Sequence, residues 1–308
     1  MNKKSINLKK IRKYRWLYVM FLPVLLFVVI FYYIPMFGIF YAFFDYKIIK
    51  PAEFVGLDNF RKLFALANFR NAFLNTLVLS IMKLLSITLA AVVISVLLNE
   101  LRSKRYKKIT QTVIYMPHFL SWIVTASIFA LILSPGQSGL VNAILVSLGI
   151  IEKGNEIYFL GSQQWWRPMF YIINIWKETG WQTIVLLATL SGINPELYEA
   201  ASIDGAGRWQ KIKSITLPAL ANTIIVVLIL NMAYIMNLFE PVYVLQNDAV
   251  IKQSQVMQTY IFNQTFNSGT IPDYGYTTAV GLFNSVIGCI LVLACNLASK
   301  KVRGRGII

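Results

Sequence analysis

"AFLNTLVLSIMKLLSITLAAVVISVLL", residues 72–98, is apolar almost from end to end and carries a single charged side chain, Lys83. A helix crossing hydrocarbon needs roughly 20 such residues, because each backbone N–H and C=O must find its partner inside the segment. This stretch meets that requirement and places the chain in a membrane. Five more follow the same rule, at about 17–44, 109–133, 168–190, 218–245 and 278–299. The expected fold is an all-α integral membrane protein with six transmembrane helices. The first span contains Pro23 and Pro35, so it is expected to tilt or kink.

Composition supports that reading and narrows the function. Of 308 residues, 57% are hydrophobic and 14% are charged, more apolar surface than a soluble domain hides. The net charge of +16 does not make a nucleic-acid binder, because the Lys and Arg flank apolar runs instead of forming a stripe on a polar background. Cys289 and Cys295 lie inside one apolar run and match neither a metal nor a disulfide spacing, so they read as packing. His118 is the only histidine, and no phosphate-binding Gly-rich loop occurs. The chain is expected to be no enzyme, with no cofactor of its own. The basic start reads as a retained first span, since the apolar run after it is too long for a cleaved leader.

Orientation follows the Lys and Arg. The N-terminal tail (Lys3, Lys4, Lys9, Lys10, Arg12, Lys13, Arg15), the loop with Arg102, Lys104, Arg105, Lys107 and Lys108, the loop with Arg208, Lys211 and Lys213, and the end with Lys300, Lys301, Arg303 and Arg305 hold most of them. Both termini are therefore expected in the cytoplasm. The organisation is a basic tail over 1–16, a six-span transmembrane domain over 17–299 and a basic tail over 300–308. On the outer side, 56–64 reads as a short helix on the membrane surface with Leu57, Phe60, Leu63 and Phe64 on one face, and 139–150 as a short lid or interfacial helix. Trp165 and Trp166 read as an aromatic belt.

One polar passage interrupts the oil: "EAASIDGAGRWQKIKSITLPAL", residues 199–220. Asn194 can cap a helix beginning at Pro195, Gly205 and Gly207 allow a turn, and a second helix is expected from about Arg208 to Leu217, with Pro218 opening the fifth span. Trp209, Ile212 and Ile215 recur at three-residue spacing; periodicity alone fits either a docking knob or a ridge packed under its own bundle.

The spacing goes further. Glu199, Ala200, Ala201, Gly205, Ile215, Leu217 and Pro218 match E-A-A-x3-G-x9-I-x-L-P, and the passage resembles the EAA motif of ABC importer permeases, with Asp204 in the "IDGA" form of the carbohydrate branch. "FVGLDNFRKLF" at 54–64, "NTL" at 75–77, "YMPHFLSWIV" at 115–124, "IWKETGW" at 175–181 and "YGYTTAVGLF" at 274–283 also resemble the maltose-type sugar permeases, the last and "PHFLSW" their oligosaccharide and polysaccharide-derived sugar subgroup. The resemblance implies a multi-pass subunit of a bacterial inner or cytoplasmic membrane, with coupling helices at about 195–217. It also implies partners: a second homologous permease, two ATPase subunits carrying ATP and Mg2+, and an extracytoplasmic sugar-binding protein.

Polar groups inside spans are the candidates for a substrate pathway, because a charge there costs about 2.5 to 3.5 kcal/mol on insertion scales and asks for a partner or a wet cavity. They are Lys83; Asn174, Trp176, Lys177, Glu178, Trp181 and Gln182 on the fourth span; and Asn231, Tyr234, Asn237 and Glu240 on the fifth. The same groups also suit bonds between neighbouring helices. Lys83 and Lys177 point to an anionic sugar. His118, beside Pro117, reads as a packing residue. The competing class is an ion-coupled secondary transporter with carboxylate relays, which calls for inverted repeats and leaves the 199–218 passage unexplained.

Overall fold

The structure is a computed structural model that describes residues 13–136, 139–269 and 271–303. The basic residues at 1–12 and 304–308 lie outside the described residues, so the tails expected over 1–16 and 300–308 are covered only in part. Helices dominate. Among the described residues, four are long and apolar enough to cross a membrane: Arg15–Phe43, Ala67–Asn99, Arg208–Met232 and Tyr274–Lys301. The pair Lys104–Phe119 and Trp122–Ile132 qualifies together, with a bend of 103°.

The first span begins as α1 (Arg15–Val28), with Pro23 inside. It then widens into a π turn at Val29–Tyr33, where the Ile34 N–H donates to Val29 O, before Pro35. A proline lacks an N–H and its ring crowds the carbonyl four residues back, so a wider turn lets the helix pass it unbroken. The span ends in a 3-10 segment, Phe37–Phe43, and its apolar window is unburied. A small antiparallel pair follows, β1 (Phe44–Asp45) and β2 (Glu53–Phe54), with Phe44 opposite Phe54.

α2 (Asp58–Ala65) is the short helix expected here, and its buried residues are Asn59 and Leu63. The Asn59 amide donates to Ala42 O and Phe44 O, at 3.0 and 2.9 Å, which seats the helix on the end of the first span and leaves Leu57 and Phe64 exposed.

α3 (Ala67–Asn99) is the central mast and packs most extensively against α7 (Trp166–Ser191). Between them in sequence come α4 (Lys104–Tyr115), α5 (Trp122–Ile132) and α6 (Leu140–Ser147). The stretch expected as the third span is thus two helices with a 103° bend, not one straight helix. Pro117 sits in a 3-10 turn (Met116–Phe119), and Ser121 restarts the helix by accepting from the Val124 N–H. Gly180 makes the crossing of α7 and α4 possible, because a Cβ there would land on the Ile114 carbonyl.

α8 (Pro195–Ile203) is capped by Asn194, whose side chain accepts from the Glu196 N–H. The expected boundary at Pro218 is absent. The helix runs on from α9 (Arg208–Lys211) through a π turn (Ile212–Thr216) into α10 (Leu217–Met232). Leu217 N–H reaches Ile212 O, so Pro218 is passed as Pro35 is. At the other end, the span expected to reach 245 stops at Met232. Residues 233–239 form a break containing a 3-10 turn, Ile235–Asn237, and α11 (Glu240–Leu245) follows with Pro241 in its first turn. The short helices α12 (Ile251–Ser254) and α13 (Met257–Phe266) lead to α14 (Tyr274–Arg303).

Three apolar clusters hold the bundle. Two gather toward the start of α3, one around Trp166, Phe170 and Val242, the other around Leu63, Phe69, Tyr260 and Val280; the third, with Ala91, Leu186 and Leu220, lies toward its end. Trp166 is wholly buried, stacked on Phe170, and its indole N–H donates to Leu245 O at 2.9 Å. It is a core pin, not part of an interfacial belt.

Candidate functional site

Between the two ends of the bundle lies a cavity of about 760 Å³. Its walls come from α3 (Ser80, Lys83, Leu84, Ile87), α7 (Glu178, Trp181, Gln182), α10 (Thr223, Asn231), the 233–239 break (Tyr234, Asn237) and the start of α11 (Glu240), with Trp122 at the start of α5. Irregular backbone at membrane depth is tolerated where it is satisfied by protein or lines a cavity, and both apply here. The Ser80 hydroxyl donates to Ile235 O at 2.7 Å, and the Asn284 amide to Met236 O at 3.3 Å. The break thereby keeps its hydrogen bonds while presenting Tyr234, 70% exposed, to the cavity.

The polar chemistry is asymmetric. Glu178 Oε2 lies 3.1 Å from His118 Nδ1, and the imidazole stacks on Trp181 at 5.0 Å and 12°. Gln182 Oε1 accepts from the Thr88 hydroxyl at 3.3 Å. Lys83 stands in the wall with Glu178 as its electrostatic partner. The result is one cation, two carboxylates, amides and ring faces around one cavity, a set suited to a polyhydroxylated ligand whose C–H faces rest on aromatic rings.

The polar passage forms a separate feature. The Gly205 N–H donates to Ser202 O, and the Ala206 N–H to Ala201 O at 2.8 Å, with Gly205 at φ +77°. This is a Schellman ending for α8, which needs a left-handed residue at Gly205. Ile203 and Trp209, 88% and 81% exposed, project on either side of the turn, with Glu199, Ala200 and Asp204 exposed beside them and Ala201 partly covered. Tyr198 OH to Thr216 Oγ1 (3.0 Å) and Lys211 Nζ to Ser202 Oγ (2.6 Å) tie α8 to the following helix. Trp209 projects from the surface, while Ile212 packs against the cluster of Leu186 and Leu220.

Residues 87–304 match the family model described as binding-protein-dependent transport system inner membrane component. The chain belongs to that family. Among relatives of this permease family, it is 40% identical over 301 residues to Protein LplB of Bacillus subtilis (strain 168), covering 96% of this chain and 92% of that one. It is 38% identical to the polygalacturonan/rhamnogalacturonan transport system permease protein YteP of the same organism, over 99% of this chain and 94% of YteP. A chain from the crystal structure of a bacterial alginate ABC transporter in complex with alginate pentasaccharide-bound periplasmic protein superposes with a TM-score of 0.88 at 36% identity, over 98% of this chain and 100% of that one.

In this permease, eight of the polar residues singled out by sequence meet at the cavity: Lys83, Glu178, Trp181, Gln182, Asn231, Tyr234, Asn237 and Glu240. Three do not. Asn174 is buried, its amide turned back to Phe170 O at 2.7 Å. Trp176 lies edge-on to Phe129 at 5.3 Å. Lys177 is buried and donates to His118 O and Leu120 O at 3.1 and 2.6 Å, with its ammonium 5.2 Å from the Trp122 ring centroid; it holds the bend of the third span. His118 does more than pack, being the partner of Glu178. Ser80, Trp122 and Thr223 are cavity residues that sequence reasoning passed over. The "PHFLSW" motif contains Trp122, but Ser80 and Thr223 give no signal without the fold. Among the described residues, no group of three His, Cys, Asp or Glu is placed to hold a metal.

Proposed function

We propose that this chain is a transmembrane permease subunit of a binding-protein-dependent ABC importer that takes up oligosaccharides, acidic ones in particular. The observation that carries the reading is the polar, aromatic cavity at the break of the fifth span, in a chain that shares its whole length with a transporter chain crystallised with an alginate-loaded periplasmic protein. Lys83 is the cavity cation that would meet a uronate carboxylate, and the name of YteP, with its acidic polysaccharides, fits that chemistry.

The reading includes six crossings, with α7 as the fourth. Its 26 residues span about 39 Å at 1.5 Å per residue, and its polar middle faces the cavity and the bend, not lipid. Both termini and the 195–211 passage then lie in the cytoplasm of a bacterial cell, where Ile203 and Trp209 dock on one of two ATPase subunits that hydrolyse ATP with Mg2+. Glu199, Asp204 and Gly205 shape that docking turn, while Ile215, Leu217 and Pro218 join it to the fifth span. A second permease subunit closes the open side of the cavity, and a sugar-binding protein delivers cargo outside.

The test is ATP hydrolysis by the assembled complex in lipid, with and without sugar-loaded binding protein. Stimulation by loaded binding protein supports the importer. Transport by the chain under an ion gradient with no ATPase present replaces it with a secondary transporter.

A further inference from the structure

A second cavity, of about 600 Å³, adjoins the first and shares Asn237 with it. It lies where the end of the first span, the start of α13 and the first turns of α14 meet. Tyr41 and Tyr46 stack at 4.5 Å and 23°, and Tyr274 lies 6.0 Å beyond Tyr46. The stack covers the faces that Tyr41 and Tyr46 share, Tyr274 is tilted 47° to Tyr46, and Tyr41, 42% exposed, supplies the open face of this tyrosine platform. Amides face it. Gln258 Nε2 donates to Asn237 Oδ1 at 3.2 Å across the junction of the two cavities. Asn284, 4% exposed, gives its amide nitrogen to Met236 O, and its carbonyl oxygen is buried behind the wall.

We infer that this outer cavity is a second carbohydrate subsite, and that one oligosaccharide chain runs from the tyrosine platform past the Asn237–Gln258 pair into the inner cavity. The physical reasons are local. An open ring face suits sugar C–H groups, the exposed Asn237–Gln258 amide pair meets hydroxyls, and the volume falls in the range of roughly 300–1,000 Å³ typical of ligand pockets. Lipid tails have no use for the amides. A packed core would have filled the space. The inference rests on the importer reading and adds chain length as a determinant of affinity, because only longer ligands reach both subsites.

The experiment uses the complete complex, reconstituted with its ATPase and binding protein, and measures stimulated ATP hydrolysis with oligogalacturonates from disaccharide to hexasaccharide and a matching series of neutral xylo-oligosaccharides. Tyr41→Ala and Tyr274→Ala lower the response to hexasaccharide relative to disaccharide about tenfold, the scale of one lost aromatic contact. Tyr41→Phe keeps the wild-type length preference. Gln258→Leu, which preserves volume, also reduces the ratio and carries the test if the alanine variants fail to assemble. An unchanged ratio in assembled Tyr41→Ala and Gln258→Leu complexes overturns the outer subsite and leaves the importer intact. A wild type that responds to neither series overturns the importer reading and the subsite with it.

Discussion

Gly205 shows how one residue couples backbone conformation to the proposed docking turn. At φ +77° with open space around its Cα, a side chain there meets no neighbour but must adopt a left-handed conformation that costs roughly 1–2 kcal/mol. Gly205→Val is therefore expected to leave the membrane bundle folded and to displace Ile203 and Trp209. Binding-protein-stimulated ATP hydrolysis should fall at least tenfold while the melting temperature of the purified chain changes little; full stimulation would remove the turn from the coupling role. Lys83 works at the same scale through charge. A charge-assisted hydrogen bond to a carboxylate is worth about 1.5–3 kcal/mol, so Lys83→Gln should weaken uptake of acidic oligosaccharides by roughly tenfold or more and barely alter neutral ones of equal length. Competition assays in which both classes lose equally would leave Lys83 with only a structural role.

The bend of the third span and the break of the fifth are where elements depart from what their sequences suggest. Hydropathy reads 109–133 and 218–245 as continuous because Pro117 and Pro241 sit among apolar neighbours, and a proline can end a helix, kink it or be passed through a π turn, as at Pro35 and Pro218. The outcome depends on what receives the freed backbone groups, and those partners are distant in sequence: Lys177 for the bend, Ser80 and Asn284 for the break. The same dependence explains the site residues. On α7, advancing about 100° per residue, Glu178, Trp181 and Gln182 share a stripe facing the cavity. Asn174 lies on that stripe one turn beyond the cavity's end, Lys177 is rotated toward the bend, and Trp176 is on the far side. Residue type selected all six; only helix placement separates them. Lys177→Met is expected to leave two half-buried carbonyls without their ammonium partner at a cost of about 1–3 kcal/mol, lowering the melting temperature by several degrees, with Lys177→Arg less harmful. A melt indistinguishable from wild type would mean that the bend does not need the ammonium.

For the whole molecule, the membrane side of each loop is a statement about charge, and it can be checked without substrate. The basic residues beside the 195–211 turn, Arg208, Lys211 and Lys213, and those at the start of α4, Lys104, Arg105, Lys107 and Lys108, mark one side by the rule that Lys and Arg stay in the cytoplasm. Trp209 lies at that end of α10, while Asn267, at the end of α13, lies beyond the break of the same span. A helix long enough to cross once separates them, so the two should face opposite compartments. With Cys289→Ser and Cys295→Ser as background, Asn267→Cys is expected to react with a membrane-impermeant maleimide in intact cells, and Trp209→Cys only after permeabilisation. The reverse pattern would invert the molecule and place Ile203 and Trp209 where no ATPase can reach them. Labelling of both from outside would remove the crossing between them, and with it the six-span topology. The expected pattern sets the tyrosine platform on the outer side of Asn237 and the docking turn on the inner side, so a ligand passing between the two cavities moves toward the compartment that holds ATP.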